Sequence, residues 1–116
     1  MNILEELKRV ISPLKVPLET GIFSEPAPSE YVVLVPLVDS FPLNADNNPL
    51  LDVEEVRISV FSKGNYLSLV KRLTKTLLRS DFYITDRRYN GFETDTGYHH
   101  YTIDVAKQYD IDMEEN

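Results

Sequence analysis

The chain has 116 residues, no cysteine, 12 basic against 19 acidic side chains and a formal net charge of −7. That length accommodates one domain and one hydrophobic core. Without cysteine, disulfides, thiolate nucleophiles and Cys-based zinc or iron–sulfur sites are excluded. The acidic balance argues against direct nucleic-acid binding, which draws most of its affinity from Lys and Arg neutralising phosphates.

Residues 2–12 place Ile3, Leu4, Leu7, Val10 and Ile11 on one face of a helix, with Glu5, Glu6, Lys8 and Arg9 opposite. Asn2 is its predicted N-cap and Pro13 its stop. The polar side mixes both charges, so the apolar stripe reads as a core face and not a membrane face. The same N-terminal segment lacks the long apolar run of a secretory signal, and no apolar run reaches membrane-spanning length. A soluble protein made in the cytoplasm is expected.

Residues 14–30 form a connector, with a short strand expected at Val16–Glu19. YVVLVPLV (31–38) is a β-branched strand whose Pro36 demands a sheet edge or a bulge. Residues 39–52, DSFPLNADNNPLLD, offer no repeating apolar face yet hold Phe41, Leu43, Leu50 and Leu51. Two readings stay open for them: a connection folded onto its own domain, or a mobile arm that packs on another subunit. VEEVRISVFS (53–62) alternates as a half-buried strand. After Lys63-Gly64-Asn65 comes a second amphipathic helix, with Tyr66, Leu69, Val70, Leu73 and Leu77 on one side and Lys71, Arg72, Lys75 and Arg79 on the other. FYITDRRY (82–89), an Asn90-Gly91 turn and a last strand within 96–109 follow, then an acidic, flexible tail at 110–116.

This order predicts an α+β domain over residues 1–109. Strands 31–38 and 53–62, then 82–89 and 99–107, pair into a largely antiparallel four- to five-stranded sheet with both helices packed on one face.

Both histidines, His99 and His100, lie in the last strand, where neighbours point to opposite faces. They cannot converge on one metal. His99 falls with Tyr101, Ile103 and Val105 on the apolar side, and His100 with Tyr98, Thr102 and Asp104 on the polar side. A metal site would have to recruit Glu93, Asp95 or Asp86 to a single histidine, and no HExxH pattern is present. No GxSxG elbow, GxGxxG loop or P-loop occurs either. Arg87 and Arg88 also point to opposite faces. One of them can pair with Glu93 or Asp104 on the adjacent strand, which leaves the other to grip a partner. No cofactor and no catalytic residue is implied; a small metal-dependent enzyme is the remaining catalytic alternative.

Three strings together, VPLETGIFSEPAPSEYVVLVPL, EEVRISVFSKGNY and DFYITDRRYNGFETDTGYHHYTIDVAKQY, resemble the tail-completion (tail-to-head joining, tail terminator) proteins of long-tailed bacteriophages and prophages of Gram-positive bacteria. The resemblance covers residues 1–109; the acidic tail after Tyr109 departs from it. It implies a structural protein, not an enzyme, that forms a homo-hexameric ring on the end of the finished tail tube. Its partners would be other copies of itself, the tail tube protein and the head connector protein, and its place the tail end of the virion. A head-side neck protein, adaptor or stopper, is the alternative within the same particle. The expected interface residues are Phe41, Leu43, Asn44, Asp46, Asn47, Leu50, Arg87 and Arg88.

Overall fold

The structure is a computed structural model that describes residues 2–24, 26–40 and 51–110. Helix α1 spans Ile3–Ile11. Its start is a reciprocal cap: Glu5 N–H donates to Asn2 Oδ1 (2.9 Å) while Asn2 N–H donates to Glu5 Oε1 (3.1 Å). A third free amide, that of Ile3, donates to Glu54 Oε1 at 2.9 Å, which ties the helix to the sheet. Pro13 converts the last turn to a 3₁₀ turn over Ser12–Leu14, and Lys15 reverses the chain at φ 59°.

Five strands follow the order β1-β2-β3-β5-β4, with β1 at Leu18–Thr20, β2 at Glu30–Ser40, β3 at Leu51–Ser62, β4 at Tyr83–Phe92 and β5 at His99–Asp110. All pairings are antiparallel except β1 with β2, so the sheet is mixed. Helix α2, Tyr66–Arg79, connects β3 to β4. Asn65 caps it through a hydrogen bond from Ser68 N–H (3.2 Å). Its C-terminus is a Schellman motif, in which Phe82 N–H donates to Leu77 O and Asp81 N–H to Leu78 O. Asp81 takes the left-handed position, φ 65°.

Register builds two contrasting faces. Val32–Val60–Tyr101, Leu34–Ile58–Ile103 and Pro36–Val56–Val105 lie side by side across β2, β3 and β5. The branched side chains of these rows are fully buried beneath Ile3, Leu7 and Ile11 of α1 and Leu69, Leu73 and Leu77 of α2. At about 25 cal/mol per Å² of buried apolar area, this sandwich of two helices on one sheet face is the main stabilising layer. The other rows are Tyr31–Phe61–His100, Val33–Ser59–Thr102 and Val35–Arg57–Asp104. No helix among the described residues covers them.

The α+β fold, both strand pairs and the one-sided helix layer match the sequence-based expectation. Three details differ. Strands β2 and β3 are longer than predicted and pair as far as Asp39–Glu54 and Ser40–Val53, so hydrogen bonding extends into the proposed 39–52 connection at both ends. Asn90-Gly91 is not a turn. Strand β4 continues to Phe92, Gly91 (φ 117°) sits at a register shift after Tyr89, and the reversal falls at Glu93–Tyr98. The short strand lies at Leu18–Thr20, not Val16–Glu19. Pro36 does mark a bulge between Pro36 and Val38, just past the part of β2 that β1 covers.

Candidate interaction surface

The sheet face opposite the two helices is chemically graded. At one end four rings form a ladder: Phe23 against Tyr31 (4.6 Å between centroids), Tyr31 stacked on Phe61 (4.8 Å), Phe61 stacked on His100 (4.4 Å, 7° between planes). Tyr98 meets Tyr31 edge-on at 5.4 Å, its hydroxyl donates to the Pro28 carbonyl, and the Lys63 ammonium lies 4.9 Å over its ring. Above this ladder lies a hollow of about 320 Å³, rimmed by Ile22 and floored by Tyr31, Val33, Phe61 and His100. Ile22 is 82% exposed.

A second hollow of about 310 Å³ adjoins the first and shares Val35, Ser59 and His100 with it. Its lining is polar. Arg57 forks Asp104 through Nε (2.9 Å) and a terminal nitrogen (3.0 Å), as their facing register positions require. Asn90 Nδ2 donates to Thr102 Oγ1 at 3.1 Å, and Arg88 pairs with Asp86 at 3.2 Å. Both arginines of the groove thus meet a carboxylate, which leaves the groove electrically balanced.

His100 stands at the junction of the two hollows. Burial holds its imidazole below the usual pKa; the Arg57 charge acts the same way and the Glu93 charge opposes it. Its Nε2 is buried and has no hydrogen-bond partner among the described residues. A flat, uncharged ring stacked on Phe61 is the physical description of this residue, and the groove it joins suits an apolar side chain flanked by polar backbone.

Of the residues singled out in the sequence, Phe41, Leu43, Asn44, Asp46, Asn47 and Leu50 lie outside the described residues. Arg87 and Arg88 sit on the outermost strand, β4. Neither pairs with Glu93 or Asp104, because Asp104 is taken by Arg57; Arg88 instead meets Asp86 on its own strand. Arg87 makes no ion pair among the described residues. His99 lies on the opposite face from His100, at the core's rim. There it packs against Tyr66 (4.9 Å) and Phe92 (4.9 Å), with its Nδ1 3.0 Å from the Tyr89 hydroxyl. Among the described residues no group of three or more His, Asp or Glu side chains converges as a metal site would require.

The sequence reading missed the aromatic ladder. The signal was present: in VVLV and RISVF, alternation places Tyr31 and Phe61 on the side away from Val32 and Val60, and Tyr98 and His100 alternate likewise. No helix among the described residues is long and apolar enough to cross a membrane. In comparison with known proteins, the chain matches no family model and no curated protein.

Proposed function

We propose that this protein is a structural component of a long-tailed bacteriophage or prophage, which closes the finished tail tube as a homo-hexameric ring and joins it to the head connector. The proposal starts from the resemblance of residues 1–109 to tail-completion proteins. One structural observation carries it further: both helices of the described residues pack on one side of the sheet, and the other side carries two adjoining hollows. Subunits with one sealed face and one open, grooved face are suited to packing against neighbours, since an exposed apolar patch gains free energy when a partner covers it. The elongated shape, 49 × 27 × 25 Å, gives each subunit a long flank for such contacts. In this reading the protein is made in the host cytoplasm, takes no cofactor, performs no catalysis and ends in the virion at the tail tip that meets the head.

Deletion of its gene from an inducible phage tests the reading. The expected result is full heads and separate tails, many of abnormal length, with joining restored by the wild-type gene. Infectious particles in normal yield would overturn it. Heads that leak DNA beside tails of normal length would move the protein to the head side of the neck.

A further inference from the structure

The outward face of α2 differs electrically from the rest of the chain. At 100° per residue, Lys71, Arg72, Lys75 and Arg79 fall within an arc of about 100°. All four are exposed, and α2, YLSLVKRLTKTLLR, contains no acidic residue. None of the four makes an ion pair among the described residues. Lys71–Lys75 and Lys75–Arg79 are like-charged neighbours one turn apart, which weakens an isolated helix. Beside the stripe stand Leu67 and Leu78, 52% and 58% exposed. In a protein of net charge −7, this is an uncompensated cationic strip with an apolar border.

The sequence holds a segment of complementary pattern at residues 111–116, Ile-Asp-Met-Glu-Glu-Asn. Its carboxylates, at 112, 114 and 115, are interleaved with Ile111 and Met113. The strand that leads into it ends at the C-terminal end of α2, where the Lys107 ammonium donates to the Ser80 carbonyl at 2.8 Å. Because α2 doubles back from β3 and β5 is antiparallel to β3, β5 and α2 run in the same general direction. β5 therefore leads away from its own basic stripe.

We propose that residues 111–116 of one copy, which follow the last paired residue of β5, dock on the α2 stripe of a second copy. Carboxylates face Lys71, Arg72, Lys75 and Arg79, while Ile111 and Met113 meet Leu67 and Leu78. Each exposed ion pair is weak alone, so several in register with apolar contacts are needed, and the contact weakens as salt rises. It is heterologous, helix of one copy to tail of the next, the kind of contact that closes a ring. It rests on the ring-forming part of the proposed function and is independent of where in a virion the ring sits.

Two full-length variants test it, both checked for fold by circular dichroism. One has a neutral tail, Asp112→Asn, Glu114→Gln and Glu115→Gln; the other has a reversed stripe, Lys75→Glu and Arg79→Glu. If the reversed-stripe variant fails to fold, Lys71→Ala with Lys75→Ala replaces it. A labelled, amidated peptide of residues 111–116 should bind the neutral-tail protein at low salt, and at least about tenfold more weakly once the stripe is also reversed. Each variant alone should lose self-association by light scattering, and their mixture should regain a one-to-one pair. Peptide binding that ignores the stripe, or no binding, overturns the contact. A mixture that stays monomeric while the peptide binds also overturns it, since the tail then folds onto its own helix. Displacement of the peptide by duplex DNA at equal charge concentration would make the stripe a nucleic-acid surface instead. Rings that persist in both variants sink this contact and leave the ring; a wild-type chain monomeric at every concentration sinks the ring itself.

Discussion

His100 and Glu6 show how single groups set the response of the fold to pH. The folded-state pKa of His100 is depressed, chiefly by burial, so the unfolded chain binds its proton more readily. Stability should therefore fall as pH drops from about 6.5, the ordinary imidazole value, toward the lower folded value. His100→Phe keeps the stack on Phe61 and sacrifices no hydrogen bond of the buried Nε2. Its melting temperature should change less between pH 7 and 5 than that of the wild type; equal slopes would show that His100 does not titrate in that window. Glu6 behaves oppositely. Burial works to raise its pKa, but hydrogen bonds from Lys107 (2.7 Å) and Tyr109 (2.7 Å), with the charges of Lys107 and Arg9, hold it below the usual value. The same arrangement raises the Tyr109 phenol, through burial first and the Glu6 carboxylate second. A depressed carboxylate stabilises above the unfolded pKa, and this is lost as pH falls through it. Glu6→Gln should cost about 1–3 kcal/mol near pH 7, and the deficit should shrink below about pH 4.5. A deficit that stays constant with pH, measured by urea unfolding, would mean that the carboxylate's charge contributes nothing.

The elements differ in how much of them the sequence reveals. The two helices were legible because their stripes, caps and breakers agree: Asn2 is the expected N-cap, to which the structure adds the reciprocal bond with Glu5, and Pro13 ends α1 where its missing N–H dictates. The end of α2 falls at Arg79, within a residue of the expected place, but its stop signal is concealed, because Asp81 occupies a left-handed position that glycine favours. Asp81→Gly should therefore stabilise the protein by about 0.5–1 kcal/mol, provided Phe82 keeps its place in the core. A lower melting temperature would show that the Asp81 side chain contributes more than its backbone strain costs. Gly91 misled for a related reason. Asn-Gly signals a two-residue turn, but here the positive φ serves a bulge that keeps β4 in register with His100 across from Gly91. Tertiary pairing decided between two uses of the same residue. The strand faces were legible in part: alternation placed Ile103 correctly in the core, where its replacement by Ala should cost about 2–5 kcal/mol. It labelled the opposite face polar, although Tyr31, Phe61 and His100 make one end of it aromatic.

In the molecule as a whole, the two surfaces argued to meet partners lie on different sides, which allows them to be separated by experiment. The basic stripe is on α2, outside the helix layer, and the graded groove is on the far face of the sheet. If the groove seats a neighbour or the tail tube, its rim must tolerate mutation in the free subunit and not in the assembly. Ile22 and Val35 suit this test, because Ile22 is 82% exposed and Val35 lines both hollows without belonging to the buried core. Ile22→Glu with Val35→Glu should change the stability of the isolated chain by no more than about 1 kcal/mol. It should nevertheless prevent completion of tails, since a carboxylate carried into an apolar contact without a partner is costly to desolvate. The stripe variants should show a different pattern, namely a defect relative to wild type that is largest at low salt and shrinks as salt rises, because the wild-type contact is electrostatic and screened. Loss of joining in the groove variant at every salt concentration, with a melting temperature near wild type, is the expected outcome, read from particle yield and electron micrographs of lysates. A groove variant that still yields infectious particles would show that the helix-free face remains open to solvent in the finished tail.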